Sequence, residues 1–227
     1  LNPLKVLDEN VKENSKELDL SEINARKGYM ATKRCMDIIG ALCGLIFLSP
    51  IFLVVALLIK YEDPKGGVFF KQMRVGKDGK EFYMYKFRSM VTDAEERLQD
   101  LLKYNEVSGA MFKIKEDPRI TRIGKIIRKT SIDELPQLIN VLKGDMSLVG
   151  PRPPLPREVK EYTTYDKQRL MVTPGCTGLW QVSGRNSIGF AEMVKLDIYY
   201  IENRNLIFDL KIICRTFVVV IKPNDAS

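Results

Sequence analysis

One uninterrupted apolar block limits the possible folds of this chain more than any other feature. Within "KRCMDIIGALCGLIFLSPIFLVVALLIK", Lys33 to Lys60, nearly every residue from Cys35 to Ile59 is apolar. The block exceeds the roughly 18 residues that mark a bilayer-spanning helix. A helix apolar on all faces does not suit the surface of a soluble domain. Three details oppose a plain crossing. Cations flank both ends: Arg26, Lys27, Lys33 and Arg34 before it, Lys60, Lys65, Lys71 and Arg74 after it. The positive-inside rule draws both ends to the same, cytoplasmic side. Pro50 lies near the middle, where its missing N–H frees a carbonyl one turn back and bends a helix. Ser49 beside it can bond a backbone carbonyl and add to the bend. Asp37 is costly in hydrocarbon unless paired, and Lys33 and Arg34 stand near enough to help. A helix that dips in, breaks at Ser49-Pro50 and returns meets all three conditions. A spanning helix with a tolerated kink is one alternative, and a helix buried inside a soluble body is another, less favoured because both faces are apolar.

Elsewhere the chain is charged and basic, with 36 Lys and Arg against 29 Asp and Glu, a net +7. That balance favours an acidic partner: nucleic acid, anionic headgroups or phosphorylated small molecules. The apolar block has no use in a nucleic-acid binder, so no nucleic-acid partner is expected. There is no histidine, which removes the commonest general base near neutral pH. Chemistry falls to carboxylates, Lys, Arg, Tyr, Ser, Cys or a metal held by oxygen. Cys35, Cys43, Cys176 and Cys214 form no C-x-x-C pair, which argues against zinc and fits a reducing compartment. Residues 1–28 read as a polar extension. The apolar block lies too far in for a secretory signal.

Gly66 to Met90 alternates and turns at Gly76 to Gly79, the pattern of a β-hairpin. Thr92 to Tyr104 predicts a helix with Leu98, Leu101 and Leu102 on one face. From Arg119 to Lys129, isoleucines 120, 123 and 127 form a stripe beside Arg122, Lys125 and Lys129. That basic amphipathic pattern suits an anionic membrane surface or a phosphate site, or an ordinary solvated face. Leu135 to Lys143 predicts a helix stopped by Gly144. A proline-stiffened loop around "GPRPPLP" and a Gly-rich strand-and-turn stretch, Val172 to Ser187, follow. Two more helices are expected, Glu192 to Asn203 and Asp209 to Lys222, the second on a core or on the membrane.

The candidate chemistry lies in "KTSIDELPQLIN", Lys129 to Asn140. Ser131 and Glu134 match a capping box; Pro136 allows a helix start nearer Asp133. The two roles coexist, because unpaired N–H groups at a helix start hold a nearby Asp ionised. An ionised carboxylate is a nucleophile that needs no separate base. Its target would be electrophilic and anionic, given Arg128, Lys129 and Arg152, whose charges suit phosphate. Pro151 and Pro153 restrict the backbone that presents Arg152. A carboxylate approaching a diphosphate meets like charge, so Mg²⁺ is expected, held by one or two carboxylates plus substrate phosphates.

Four stretches in order, the apolar block, "YKFRSM", "DPRITRIGKIIRKTSIDELPQLINVLKGDMSLVGPRP" and "PGCTGLWQVSGRN…LDIYYIENRNLIFDLKI", resemble the bacterial sugar transferases. These are the monotopic phosphoglycosyl transferases, or polyprenyl-phosphate hexose-1-phosphate transferases. The likeness covers about Tyr29 to Val220. It implies an α+β chain: a polar extension over 1–28, a re-entrant helix-break-helix hairpin over 29–62 bent at Ser49-Pro50, and a cytoplasmic catalytic domain over 63–227 with interfacial amphipathic helices. It implies that Asp133 attacks the sugar-bearing phosphate of a UDP-sugar, that UMP leaves, and that undecaprenyl phosphate takes the sugar phosphate from the aspartyl intermediate. Glu134 would assist, and Mg²⁺ would sit at Asp133 with the substrate phosphates. Lys86, Arg128 and Arg152 match phosphate-contacting positions; Arg185, Asn186, Asp197 and Asp209 match further active-site positions. Lys86 as an edge-strand charge, and Asp197 and Asp209 as local pairs, stay open, as does packing rather than base stacking for Trp180. The implied location is the inner leaflet of a bacterial cytoplasmic membrane, catalytic domain inward, with a homo-oligomer compatible. The sugar is expected to be glucose or galactose, N-acetylated sugars staying open. A non-catalytic membrane adaptor binding anionic lipid is the competing reading. The chain departs from the family pattern in its N-terminal extension and around Glu95 to Phe112.

Overall fold

A computed structural model describes residues 18–19, 21, 25–94, 96–101, 114, 117–184 and 188–221. The apolar block folds into helix α1, Lys27–Glu62, 36 residues long. At ~1.5 Å per residue it extends ~54 Å. Helical conformation continues through Ser49 and Pro50 instead of breaking there into two helices. Pro50 deprives the Ile46 carbonyl of its amide donor, and Ser49 Oγ donates to that carbonyl at 2.8 Å. The hydroxyl replaces the lost bond, so the turn survives.

Four residues of α1 are buried: Asp37, Ala41, Val55 and Ile59. Ala41 and Val55 stand close to four turns apart, so both pairs face the same way. Gly40 and Gly44 extend that face, because a Cβ there would lie 2.6 Å and 2.9 Å from the Leu148 and Leu138 side chains. The remaining surface is apolar and open: Phe47 is 79 % exposed, and Ile39, Ile46, Leu53, Val54 and Leu57 are also exposed. A stripe touches protein, and the rest suits hydrocarbon.

Strands β1 (Phe69–Val75) and β2 (Glu81–Phe87) form the expected antiparallel hairpin, Phe69 opposite Phe87 and Val75 opposite Glu81. Of the helix expected over Thr92 to Tyr104, α2 (Leu98–Leu101) is described; residues 102–113 lie outside the described set. Helix α3 (Arg122–Lys129) starts at Thr121, whose Oγ1 accepts from the Gly124 amide at 2.9 Å. Arg119 falls before the helix and pairs with Asp117 at 2.6 Å. The isoleucine stripe turns inward: Ile127 is buried and Ile123 packs beside it, while Ile126 faces out. The stripe read as membrane-facing is therefore mostly core, because α1 already occupies that side.

A 3₁₀ turn, Ile132–Glu134, leads to α4 (Gln137–Lys143), which Gly144 ends at φ 88°, where a side chain would be strained. Short strands β3 (Ser147–Val149) and β4 (Gly175–Thr177) pair in parallel. Between them lie α5 (Pro156–Lys160) and α6 (Thr164–Lys167). Helices α7 (Phe190–Asn203) and α8 (Leu206–Ile221) close the fold. Three apolar clusters hold it. Val149, Leu196, Tyr200 and Ile212 form one, Ala41, Phe82, Met84, Val141 and Met146 a second, and Val55, Ile59, Phe87 and Ile127 a third. Helix α1 enters two of the three, so the apolar block is part of the body of the protein.

Polar contacts fasten both ends of α1 to that body. Asp37 does not pair with Lys33 or Arg34; it accepts from Ser147 Oγ at 3.0 Å and the Leu148 amide at 2.9 Å. Lys33 pairs with Asp209 at 3.1 Å, and Arg34 donates to the Val141 and Leu142 carbonyls at the end of α4. At the far end Glu62 accepts from the Arg122 and Ile123 amides, and Asp63 pairs with Arg88. Neighbours in sequence lose these partners to residues that packing brings nearer and desolvates together.

Candidate active site

The turn before α4 departs from the capping expectation. Ser131 stands in the left-handed region, φ 57° and ψ 16°, and its side chain makes no capping bond. A cap needs extended backbone at that residue. Instead Glu134 Oε1 accepts from Lys86 Nζ at 2.7 Å. Lys86 comes from β2 and Glu134 from the turn, so packing of the hairpin against α4 brings the pair together. The Asn140 side chain fixes that packing: its Oδ1 accepts from the Tyr85 amide at 2.9 Å and its Nδ2 donates to the Tyr83 carbonyl at 2.7 Å.

The pair borders an open cleft lined also by Arg74, Arg152, Gln137, Cys176 and Trp180. Arg74 is buried; it donates to Gln72 Oε1 at 2.6 Å and to the Pro153 carbonyl at 3.0 Å. Burial, and next the Arg152 charge, pull its guanidinium down to about 9, which still leaves a full cation at neutral pH. Among the described residues, Arg152 forms one ion pair, a 3.9 Å contact to Glu158. Three cations around one cleft, with Glu134 among them, form a site an anion would relieve.

Asp133 is 7 % exposed, and the cleft lining includes Glu134 but not Asp133. Arg128 lies exposed in the last turn of α3, off the lining. Arg185 and Asn186 lie outside the described residues. Asp197, on α7, is buried and bound by Arg169 Nη2 at 2.5 Å. Burial pushes its carboxyl up to about 6, with the Arg169 guanidinium pulling against it. Arg169 also donates to the Tyr162 hydroxyl at 2.8 Å and reaches the Arg152 carbonyl at 3.4 Å, so Asp197 steadies the Arg152 loop from behind. Asp209, on α8, is fully buried and accepts from Tyr200 at 2.6 Å, Tyr29 at 2.8 Å and Lys33 at 3.1 Å. It joins α1 to α8, away from the cleft. Trp180 lines the cleft and packs against the first apolar cluster. Burial raises the Cys176 thiol well above its usual range, which favours the thiol over the thiolate.

Among the described residues no three metal-binding side chains converge. Adjacent carboxylates beside a cationic cleft still fit Mg²⁺, which uses one or two of them and takes its other ligands from substrate phosphates and water. Sequence reasoning read Arg74 only as a flanking cation and missed it as a cleft residue. Its signal was alternation, since Gln72 and Arg74 share one face of β1; only packing decides that the face turns inward.

Residues 28–223 match the bacterial sugar transferase family. The chain belongs to that family. This chain is 51 % identical over 200 residues to the galactosyl transferase CpsE of Streptococcus agalactiae serotype III, covering 88 % of its length and 44 % of the relative. It is 45 % identical over 206 residues to the undecaprenyl-phosphate galactose phosphotransferase of Salmonella typhimurium, covering 89 % and 43 %. It is 40 % identical over 193 residues to the exopolysaccharide production protein ExoY of Sinorhizobium fredii, covering 83 % and 85 %. The chain thus spans a little under half of the first two relatives and most of the third.

Proposed function

We propose that this sugar transferase moves a sugar 1-phosphate from a UDP-sugar to a polyprenyl phosphate and so starts a lipid-linked glycan. The observation that carries the reading is the Lys86–Glu134 pair bordering a cleft shared with Arg74 and Arg152. Those cations suit the diphosphate, and holding it in place supplies much of what phosphoryl transfer needs. A carboxylate oxygen of Asp133 attacks the sugar-bearing phosphorus. The bond to the bridging oxygen breaks, and UMP leaves with its electron pair. An oxygen of the polyprenyl phosphate then attacks the same phosphorus, and Asp133 departs as a carboxylate. Asp133 itself is buried, and its neighbour Glu134 lines the cleft. Mg²⁺, when bound, would offset the like charges of carboxylate and diphosphate. Glu134 would hold it with the substrate phosphates and Asp133.

The tethering of both ends of α1 to one body supports a helix that enters one leaflet and leaves the active site at the inner, cytoplasmic surface of a bacterial membrane. There the water-soluble donor and the lipid's phosphate meet. Two relatives named for galactose make UDP-galactose the first donor to try. The test is UMP release from a panel of UDP-sugars with undecaprenyl phosphate and Mg²⁺, and mass spectrometry without the lipid. A phosphosugar adduct on Asp133 is expected, and Asp133→Asn should lose both adduct and turnover. Near-normal turnover in that variant would end the nucleophile assignment.

A further inference from the structure

We propose that Glu62 and Asp63, the adjacent carboxylates where α1 leaves the apolar block, are positioning residues for the Lys86–Glu134 pair. The inference rests on the transferase reading above. Neither carboxylate lines the cleft, yet each grips a segment that leads directly to one member of the pair. Glu62 Oε1 accepts from the Arg122 amide at 2.8 Å and Oε2 from the Ile123 amide at 3.0 Å. These amides open α3 and have no partner within their own helix, and a carboxylate there also meets the favourable end of the helix dipole. Helix α3 runs through Thr130 and the left-handed Ser131 into the turn that bears Asp133 and Glu134. Asp63 pairs with Arg88, two residues beyond Lys86, and its carbonyl accepts from Arg88 Nη2 at 3.0 Å. Arg88 Nε donates to the Gly67 carbonyl at 2.6 Å, which locks the base of the hairpin.

Between the two grips, Val55 and Ile59 of α1 pack with Phe87 of β2 and Ile127 of α3, and Ile132, next to Asp133, packs against the same cluster. The end of α1 thus holds β2 and α3 in one register. The 2.7 Å approach of Lys86 to Glu134 follows from that register. A change in how α1 seats in the bilayer reaches the pair through these two carboxylates.

The test is steady-state UMP release by the full chain in lipid nanodiscs, with UDP-galactose varied at saturating undecaprenyl phosphate. Glu62→Ala should lower kcat about tenfold while KM for UDP-galactose stays within about twofold, because Arg74 and Arg152 ride on other elements. Glu62→Gln keeps a carbonyl acceptor and should recover kcat to within about threefold of wild type. Should the alanine variant not fold, Asp63→Asn, expected to lower kcat about fivefold at unchanged KM, carries the same test. An unchanged kcat in these variants overturns the inference, as does a loss matched by a fall in Tm that glutamine does not recover. No UMP release from the wild type sinks the transferase reading and this inference with it. A full-rate wild type beside a full-rate Glu62→Ala sinks the inference alone.

Discussion

Arg74 and Asp209 show how similar buried charges serve different ends. Arg74 makes neutral hydrogen bonds to Gln72 and Pro153 and borders the cleft with Arg152, and under the function proposed above its charge would meet the diphosphate. A charge-assisted contact is worth about 1.5–3 kcal/mol. Arg74→Met should therefore raise KM for the UDP-sugar by about tenfold or more, measured by UMP release. Asp209 instead satisfies Lys33, Tyr29 and Tyr200 inside the body. Removing one member of a buried pair strands the other, at about 3–5 kcal/mol. Asp209→Ala should lower Tm by several degrees in detergent, and Asp209→Asn by less, because the amide oxygen still accepts from one tyrosine and the NH2 can donate to the hydroxyl of the other. Both aspartates singled out beyond the dyad, Asp197 and Asp209, are legible in the sequence as candidates. Their partners are not: Arg169 is 28 positions from Asp197 and Lys33 is 176 from Asp209. Local patterns do not encode which distant cation is desolvated beside them.

At the scale of elements, Ser49 and Pro50 act as one device. Pro50 orphans the Ile46 carbonyl and the Ser49 hydroxyl takes it at 2.8 Å, in a helix apolar enough to enter a membrane, where no water would substitute. Ser49→Ala should cost about 1–3 kcal/mol of stability in nanodiscs. In a Pro50→Ala background the restored amide satisfies Ile46, so the same change should cost little. Equal costs in the two backgrounds would show that the hydroxyl and the proline are not coupled. The hairpin β1–β2 and helices α4, α7 and α8 follow the periods visible in the sequence. Helix α3 follows its period too, yet turns its stripe toward α1. A stripe specifies that something apolar covers it and leaves open whether that cover is lipid or protein.

For the whole molecule, the decisive arrangement is a long apolar helix held at both ends by one body. Asp37, Lys33 and Arg34 dock the start, and Glu62 and Asp63 dock the end. Both ends of the helix are thereby fixed to the same body. In a cysteine-free background, Met30→Cys and Tyr61→Cys, both at exposed positions, should each react with a membrane-impermeant maleimide in inside-out vesicles. Neither should react in right-side-out vesicles. Labelling of the two positions from opposite sides would defeat the one-leaflet reading. The amino-acid order by itself determined the apolar block, the flanking charges, the hairpin, the helical periods and the Asp133-Glu134 neighbourhood. Each of these is written in residues a few positions apart. Only the tertiary structure decided that Lys86 meets Glu134, that Arg74 turns into the cleft, and that Ser131 abandons its cap. Those outcomes depend on which surfaces exclude water from one another, and a linear sequence does not state that contest between distant partners.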